Sequence, residues 1–205
     1  AIEAFGLNMG PFRMMDLIGL DLGWRARKLA GVDSPLTNKI ADTLCENERF
    51  GQKNSKGFYN YSEGSRAPNP APENEEIYFK ISEENGFTRR EISDEEIVDR
   101  CILALVNEGA KILEEGVAQR ASDMDIVYIN GYGFPVWRGG PMFYANSLGL
   151  DKVLEKLKGF QEIDSDFWKP ADLLEKLAKD ELKFGEAPDI NERKGKMKFP
   201  DIVGY

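Results

Sequence analysis

The chain has 205 residues, enough for one large domain or two small ones, and its 41% hydrophobic and 31% charged content is an ordinary globular balance. Its formal net charge of −9 is the wrong sign for a nucleic-acid partner, and no apolar run reaches the roughly 18–20 residues of a membrane span. It has no histidine, which excludes His-based serine and cysteine triads and removes the commonest metal ligand.

GxGxxG, GxxxxGK[ST] and CxxC are absent as well, and Cys45 and Cys101 lack a metal-type spacing. Neither a metal site nor a catalytic residue is expected, and both thiols are expected to pack as small apolar residues in a reducing compartment. The opening AIEAFGLNMGPF lacks the basic segment and continuous apolar core of a signal peptide.

In chain order, Gly10-Pro11 predicts a turn and a short helix over 12–18, because proline at a helix's first turn sacrifices no needed donor. Gly19 can close that helix and Asp21 can cap the next, LGWRARKLAG. A further helix is predicted over 35–47. RFGQKNSKGFYNY then predicts a loop ending in a short extended segment. The stretch 62–76, with Pro68, Pro70 and Pro72 and no apolar period, predicts a linker.

Ser93 and Glu96 form a capping box at the start of the longest predicted helix. Its apolar stripe is drawn through Ile97, Cys101, Leu105, Ile112 and Leu113, with Gly116 as its stop. Ser122 with Asp125 starts a shorter helix that stops at Gly131. Another Gly-Pro, at 140–141, opens a helix over 142–148; LDKVLEKLKGF and 170–179 predict the last two. The tail from 185 is polar until FPDIVGY.

GPFRMMDLIGLD at 10–21 recurs as GPMFYANSLGLD at 140–151. Five of the twelve positions are identical, and Asp16 faces Asn146. The repeat predicts two related helical units. The second copy follows a long helix and a short one, whereas the first begins at residue 10, so the chain is expected to be the C-terminal part of something longer. The alternative is a local turn-helix solution met twice.

The first copy, FGLNMGPFRMMDLIGLDLGW, resembles the MGPF…D..GLD segment of 3-hydroxyacyl-CoA dehydrogenases, and RFGQKNSKGFYNY resembles the same family's Gly-rich loop and GFY segment. EIVDRCILALVNEGAKILEEGVAQRASDMDIVYINGYGFPVWRGGPMFYAN resembles the last domain of the multifunctional fatty-acid β-oxidation enzymes. The resemblance covers about 1–180. It implies an all-α fold of two related 3-hydroxyacyl-CoA dehydrogenase C-terminal-like domains packed together: 1–61, a linker 62–76, 77–184, and a tail 185–205.

The resemblance also implies a parent that oxidises (3S)-3-hydroxyacyl-CoA to 3-ketoacyl-CoA with NAD, on an NAD-binding domain fused to an enoyl-CoA hydratase region. None of that family's catalytic residues matches a position here, and this chain alone is expected to be inactive and to bind no NAD. Met9, Gly10, Pro11 and Phe12 are the candidate substrate-binding residues, a wall near the acyl chain, with core packing and helix entry as the plain alternative.

Asp16 and Asn146 are expected to make local caps or inter-helix hydrogen bonds. Tyr132, Phe134, Trp137, Phe143 and Tyr144 are expected to pack between the two units, or otherwise to line an acyl or partner groove. Glu114 and Glu115 diverge by about 100° on a helix and are expected to be solvated. Arg49, Lys53 and Lys56 are read as loop or salt-bridge residues before CoA-phosphate ligands. A non-enzymatic interaction or dimerisation module, possible self-association, and a half-cleft offered to a separate partner remain rival readings. The ending VGY is not a peroxisomal address, leaving a bacterial cytoplasm or a peroxisomal matrix as the setting.

Overall fold

A computed structural model describes residues 1–186 and contains ten α-helices: α1 (Ile2–Phe5), α2 (Pro11–Ile18), α3 (Asp21–Ala30), α4 (Leu36–Glu46), α5 (Glu75–Glu84), α6 (Asp94–Glu114), α7 (Ala121–Gly131), α8 (Pro141–Leu148), α9 (Leu150–Phe160) and α10 (Asp172–Lys179). Among the described residues, pairing between extended segments is limited to three isolated bridges in 51–69. The fold is all-α. The expected tail lies almost wholly outside the described residues.

The helix boundaries follow local chemistry where the sequence carries it. Ser93 Oγ accepts the Glu96 N–H at 3.2 Å, and three acidic residues occupy the first turn of α6 at its positive end. Pro11 and Pro141 stand at the first positions of α2 and α8, and Gly19 and Gly149 end them by donating to Met15 and Ala145. The Asp21 cap is a correction. Asp21 is already inside α3, whose N-cap is Leu20, and its carboxylate pairs with Arg25 and Lys53 instead. Ser122 likewise starts nothing, because α7 begins one residue earlier after Arg120.

The chain forms two compact units. One holds Met9–Glu91 with α2–α5, and the other holds Ala1–Asn8 together with the described residues from Ile92 on. The first has a small core of Leu20, Ala41, Leu44, Cys45 and Phe58, flanked by Trp24, Phe50 and Ile77. The second has a larger one, in which Leu103, Val106 and Ala110 of α6 meet Met142 and Ala145 of α8, Val153 and Leu157 of α9, and Leu174 and Leu177 of α10.

Two differences from the sequence-based division stand out. Residues 1–8 are held by the unit formed after residue 92, and α5 belongs with α2–α4. The Pro-rich stretch is also tied down rather than free. Asn60 and Asn69 exchange both backbone hydrogen bonds, and fully buried Asn74 donates to the carbonyls of Gly57 and Phe58. Proline blocks helix there, but the pairing uses the N–H of Asn69, between two prolines, so it loses no donor.

The buried stripe of α6 runs through Ile102, Leu103, Val106, Ala110 and Leu113. Cys101, placed on that stripe from the sequence, is exposed, whereas Cys45 is buried as expected. Burial pushes the Cys45 thiol up, away from thiolate reactivity.

Candidate functional site

Gly10, in extended backbone, caps α2, and Pro11 fixes the helix's entry. Met9 and Gly10 are half-buried and Pro11 is exposed. Phe12 is 52% exposed and lies against the Phe58 ring, with centroids 4.5 Å apart and planes at 26°. Met14, Leu17 and Ile18 of the same helix are also exposed. At about 100° per residue those three lie on the opposite side of α2 from Phe12, which shares the side of Asp16 and Phe58.

The wall's back is a buried polar lock. Asp16, fully buried on α2, accepts the N–H of Phe58 at 2.8 Å, the N–H of Tyr59 at 3.0 Å and the hydroxyl of Tyr61 at 2.9 Å. Burial pushes the Asp16 carboxyl above its ordinary range, opposed by those three donors and by Arg49. Gly57 lies so close that an added Cβ would fall onto the Asp16 carboxylate. This is the physical reason for glycine before the aromatic pair that carries the wall.

Arg49 completes the lock. It is buried and donates to the Gly57 carbonyl at 2.9 Å, to Asn60 Oδ1 at 2.8 Å and to Glu73 Oε1 at 2.9 Å. The Asn60 amide and Arg49 hold the Glu73 carboxyl below its usual range. Arg49 and Lys53 are therefore engaged inside their own unit, Lys53 with Asp21, while the Lys56 backbone bridges to Gly51.

The equivalent place in the other unit is built differently. Asn146 Oδ1 accepts the Phe184 N–H at 2.8 Å, and Asn146 Nδ2 donates to the Phe184 carbonyl at 3.2 Å. Met142, the counterpart of Phe12, is fully buried. The start of α8 is capped by Asp125 of α7, which accepts the N–H of Met142 at 2.7 Å and that of Phe143. Glu114 behaves likewise toward α10, accepting the Leu173 N–H, so its expected role as a merely solvated carboxylate is corrected. These long-range caps were missed because their partners are 17 and 59 residues away and leave no local pattern.

The aromatic cluster divides. Phe134 and Tyr144 pack edge-on to Phe5, with centroids at 5.7 and 5.3 Å, whereas Tyr132, Trp137 and Phe143 are largely exposed. Among the described residues no three His, Cys, Asp or Glu side chains converge as a metal would require, and no helix is long and apolar enough to cross a membrane. No strand, Gly-rich turn and helix unit occurs among them either.

Comparison with known proteins agrees with the architecture. The model of the 3-hydroxyacyl-CoA dehydrogenase C-terminal domain matches residues 1–61 and 97–188. A peroxisomal bifunctional enzyme from Danio rerio is 41% identical over 194 residues, covering 86% of this chain and 27% of that protein. A fatty acid oxidation complex subunit alpha from Pseudomonas savastanoi is 32% identical over 191 residues, covering 91% of this chain and 26% of that protein. The crystal structure of the dehydrogenase part of multifunctional enzyme 1 from C. elegans superposes with a TM-score of 0.65 at 29% identity, covering 85% of this chain and 40% of that one. The chain thus spans about a quarter of the length of the curated relatives it matches.

Proposed function

Because the chain belongs to the 3-hydroxyacyl-CoA dehydrogenase C-terminal domain family, we propose that it is the helical part of a β-oxidation enzyme that oxidises (3S)-3-hydroxyacyl-CoA to 3-ketoacyl-CoA with NAD. The observation that carries this reading is the 41% identity to bifunctional peroxisomal enzymes, sustained over 86% of the chain. Those relatives also favour a parent fused to an enoyl-CoA hydratase and working in a peroxisomal matrix.

NAD is held, on this reading, by another domain of the parent, and so are the groups that act on the substrate's hydroxyl. The part played by this chain is positional. Met9, Gly10, Pro11 and Phe12 form an apolar wall for the acyl-CoA, and a wall of this kind excludes water and limits the substrate's freedom. Asp16, Gly57 and Arg49 keep the wall in shape by fixing Phe58 beneath Phe12. Partners are accordingly the NAD-binding and hydratase domains of the same protein.

The test uses the full-length parent enzyme. With a (3S)-3-hydroxyacyl-CoA and NAD it is expected to form NADH, and Phe12→Ala is expected to raise KM roughly tenfold with a smaller change in kcat. Absence of NADH formation in the unsubstituted enzyme overturns the activity; an unmoved KM in Phe12→Ala overturns the wall.

A further inference from the structure

The boundary between the two units falls at Glu91 and Ile92, and the chain crosses it in the open. Every residue from Glu83 to Glu95 is exposed, and 88–93 belong to no helix, bridge or turn. Among the described residues, no backbone-to-backbone hydrogen bond engages Thr88 to Ile92. Two arginines stand side by side in this stretch. Arg89 lies over the Phe79 ring, 4.1 Å from its centroid, and Arg90 Nη1 donates to the neighbouring Glu91 carbonyl at 2.9 Å. A protease draws several residues on each side of the bond it cuts into its cleft in extended form, so it cuts where backbone is exposed and unbonded. Arg66, Arg120 and Lys169 also lie in loops but are less suited. The loop of Arg66 is pinned where Asn60 and Asn69 exchange backbone hydrogen bonds; Arg120 pairs with Asp123 at 2.9 Å beside the start of α7; Lys169 precedes a proline.

A cut at this place has an unusual consequence. Residues 1–8 precede the first unit in the chain but fold with the second. Ile2 and Phe5 are buried, and Phe5 packs edge-on to Phe134 and Tyr144. Ile102 of α6 shares that cluster, and Leu7 packs against it. The Arg138 Nε donates to the Phe5 carbonyl at 3.0 Å, and its guanidinium lies 4.0 Å from the Phe5 ring centroid. Each of these contacts joins a residue before the cut to one after it, and all of them lie inside the second unit.

We propose that Arg89 and Arg90 form a cleavage site for trypsin-like proteases, and that the cut chain stays together because α1 keeps its seat in the second unit. Hydrolysis adds water across one peptide bond, leaving an arginine carboxylate and a new amine, and needs no other reactant. It breaks no core contact of either unit. The first unit is then tied to the second through α1, as an insertion whose return connection has been opened.

The experiment uses the 205-residue chain. It is treated briefly with trypsin, the pieces are identified by mass spectrometry, and the mixture is run on a sizing column in rising urea. Within residues 1–186 the first cut is expected after Arg89 or Arg90, and replacing both, Arg89→Gln with Arg90→Gln, is expected to move it elsewhere. Without urea both pieces of the natural chain are expected to elute together, at the volume of the uncut chain. In Phe5→Ala the cut pieces are expected to part without urea, the uncut variant's elution and helical circular dichroism serving as the check on its folding. Arg138→Ala is expected to lower the urea concentration at which the cut pieces part, and it carries the measurement if Phe5→Ala does not fold. A first cut elsewhere within 1–186 overturns the cleavage site. Separation of the natural pieces without urea, or variants whose pieces hold together as firmly as the natural ones, overturns the hold by α1.

Discussion

In α2 the seventh residue of the repeated phrase is Asp16, and in α8 it is Asn146. Both side chains reach back to a segment that follows some forty residues later, Asp16 to Phe58 and Asn146 to Phe184. What surrounds each one decides its chemistry. Asp16 meets three donors and no acceptor, so a carboxylate suits it; Asn146 meets one donor and one acceptor, so an amide suits it. The same fold position is thus kept for one job, and the residue type follows the polarity of the partner. The contrast at the start of the phrase is of another kind. Met142 is buried beneath its own unit's helices, while Phe12 faces solvent, where the proposed wall needs an apolar surface.

Substitutions can break this pairing in graded steps. The largest loss is expected from Asp16→Ala, which strands two N–H groups and a tyrosine hydroxyl in the interior and should cost about 4 kcal/mol in denaturant unfolding. Asp125→Ala strands the first N–H groups of α8 and should cost about 2–3 kcal/mol, detected in the same unfolding curves. The reverse exchange, Asn146→Asp, keeps the bond to the Phe184 N–H but sets a carboxylate against the Phe184 carbonyl. About 1–2 kcal/mol is expected, and a neutral outcome would show that the polarity match does not govern this position.

A pH series sharpens the comparison further. The Asp16 carboxyl is raised by burial, so between the ordinary value of 3.8 and its own higher one the folded state binds the proton more readily than the unfolded state. Acidification through that window should therefore stabilise the natural chain relative to Asp16→Asn. Asp42 behaves in the opposite sense. Burial pushes its carboxyl up, but Arg27 and Ser34 hold it below 3.8 overall. Its contribution is present above 3.8 and is lost as pH falls through the lower folded value, so the gap between the natural chain and Asp42→Asn should close there. Each effect is read from unfolding midpoints. The smallest change is expected from Cys101→Ser on the exposed side of α6, within about 0.5 kcal/mol, against a loss several times larger for Cys45→Ser in the core.

Those contrasts also show what a sequence carries and what it does not. The ends of α2 and α8 and the start of α6 were legible because proline, glycine and the Ser93–Glu96 box act within one turn. The family was legible in the MGPF, GFY and WRGGPMFYA segments. The caps from Asp125 and Glu114 were not, since each carboxylate is aimed by tertiary packing at a helix remote in the chain. Composition also misled for 62–76, where prolines suggested a free linker but Asn69 and Asn74 tie the segment to its unit. Residues 1–8 meet Phe134, Arg138 and Tyr144, more than a hundred residues away, and no local pattern announces such partners.

On the proposed function this chain shapes a substrate cleft, and the chemistry lies on the parent's other domains. The most direct test is NADH formation from a (3S)-3-hydroxyacyl-CoA and NAD, measured in parallel for the purified 205-residue chain and for the full-length parent enzyme. Turnover by the parent and none by the chain is the predicted result. Turnover by the purified chain alone, free of contaminating enzyme, would contradict it.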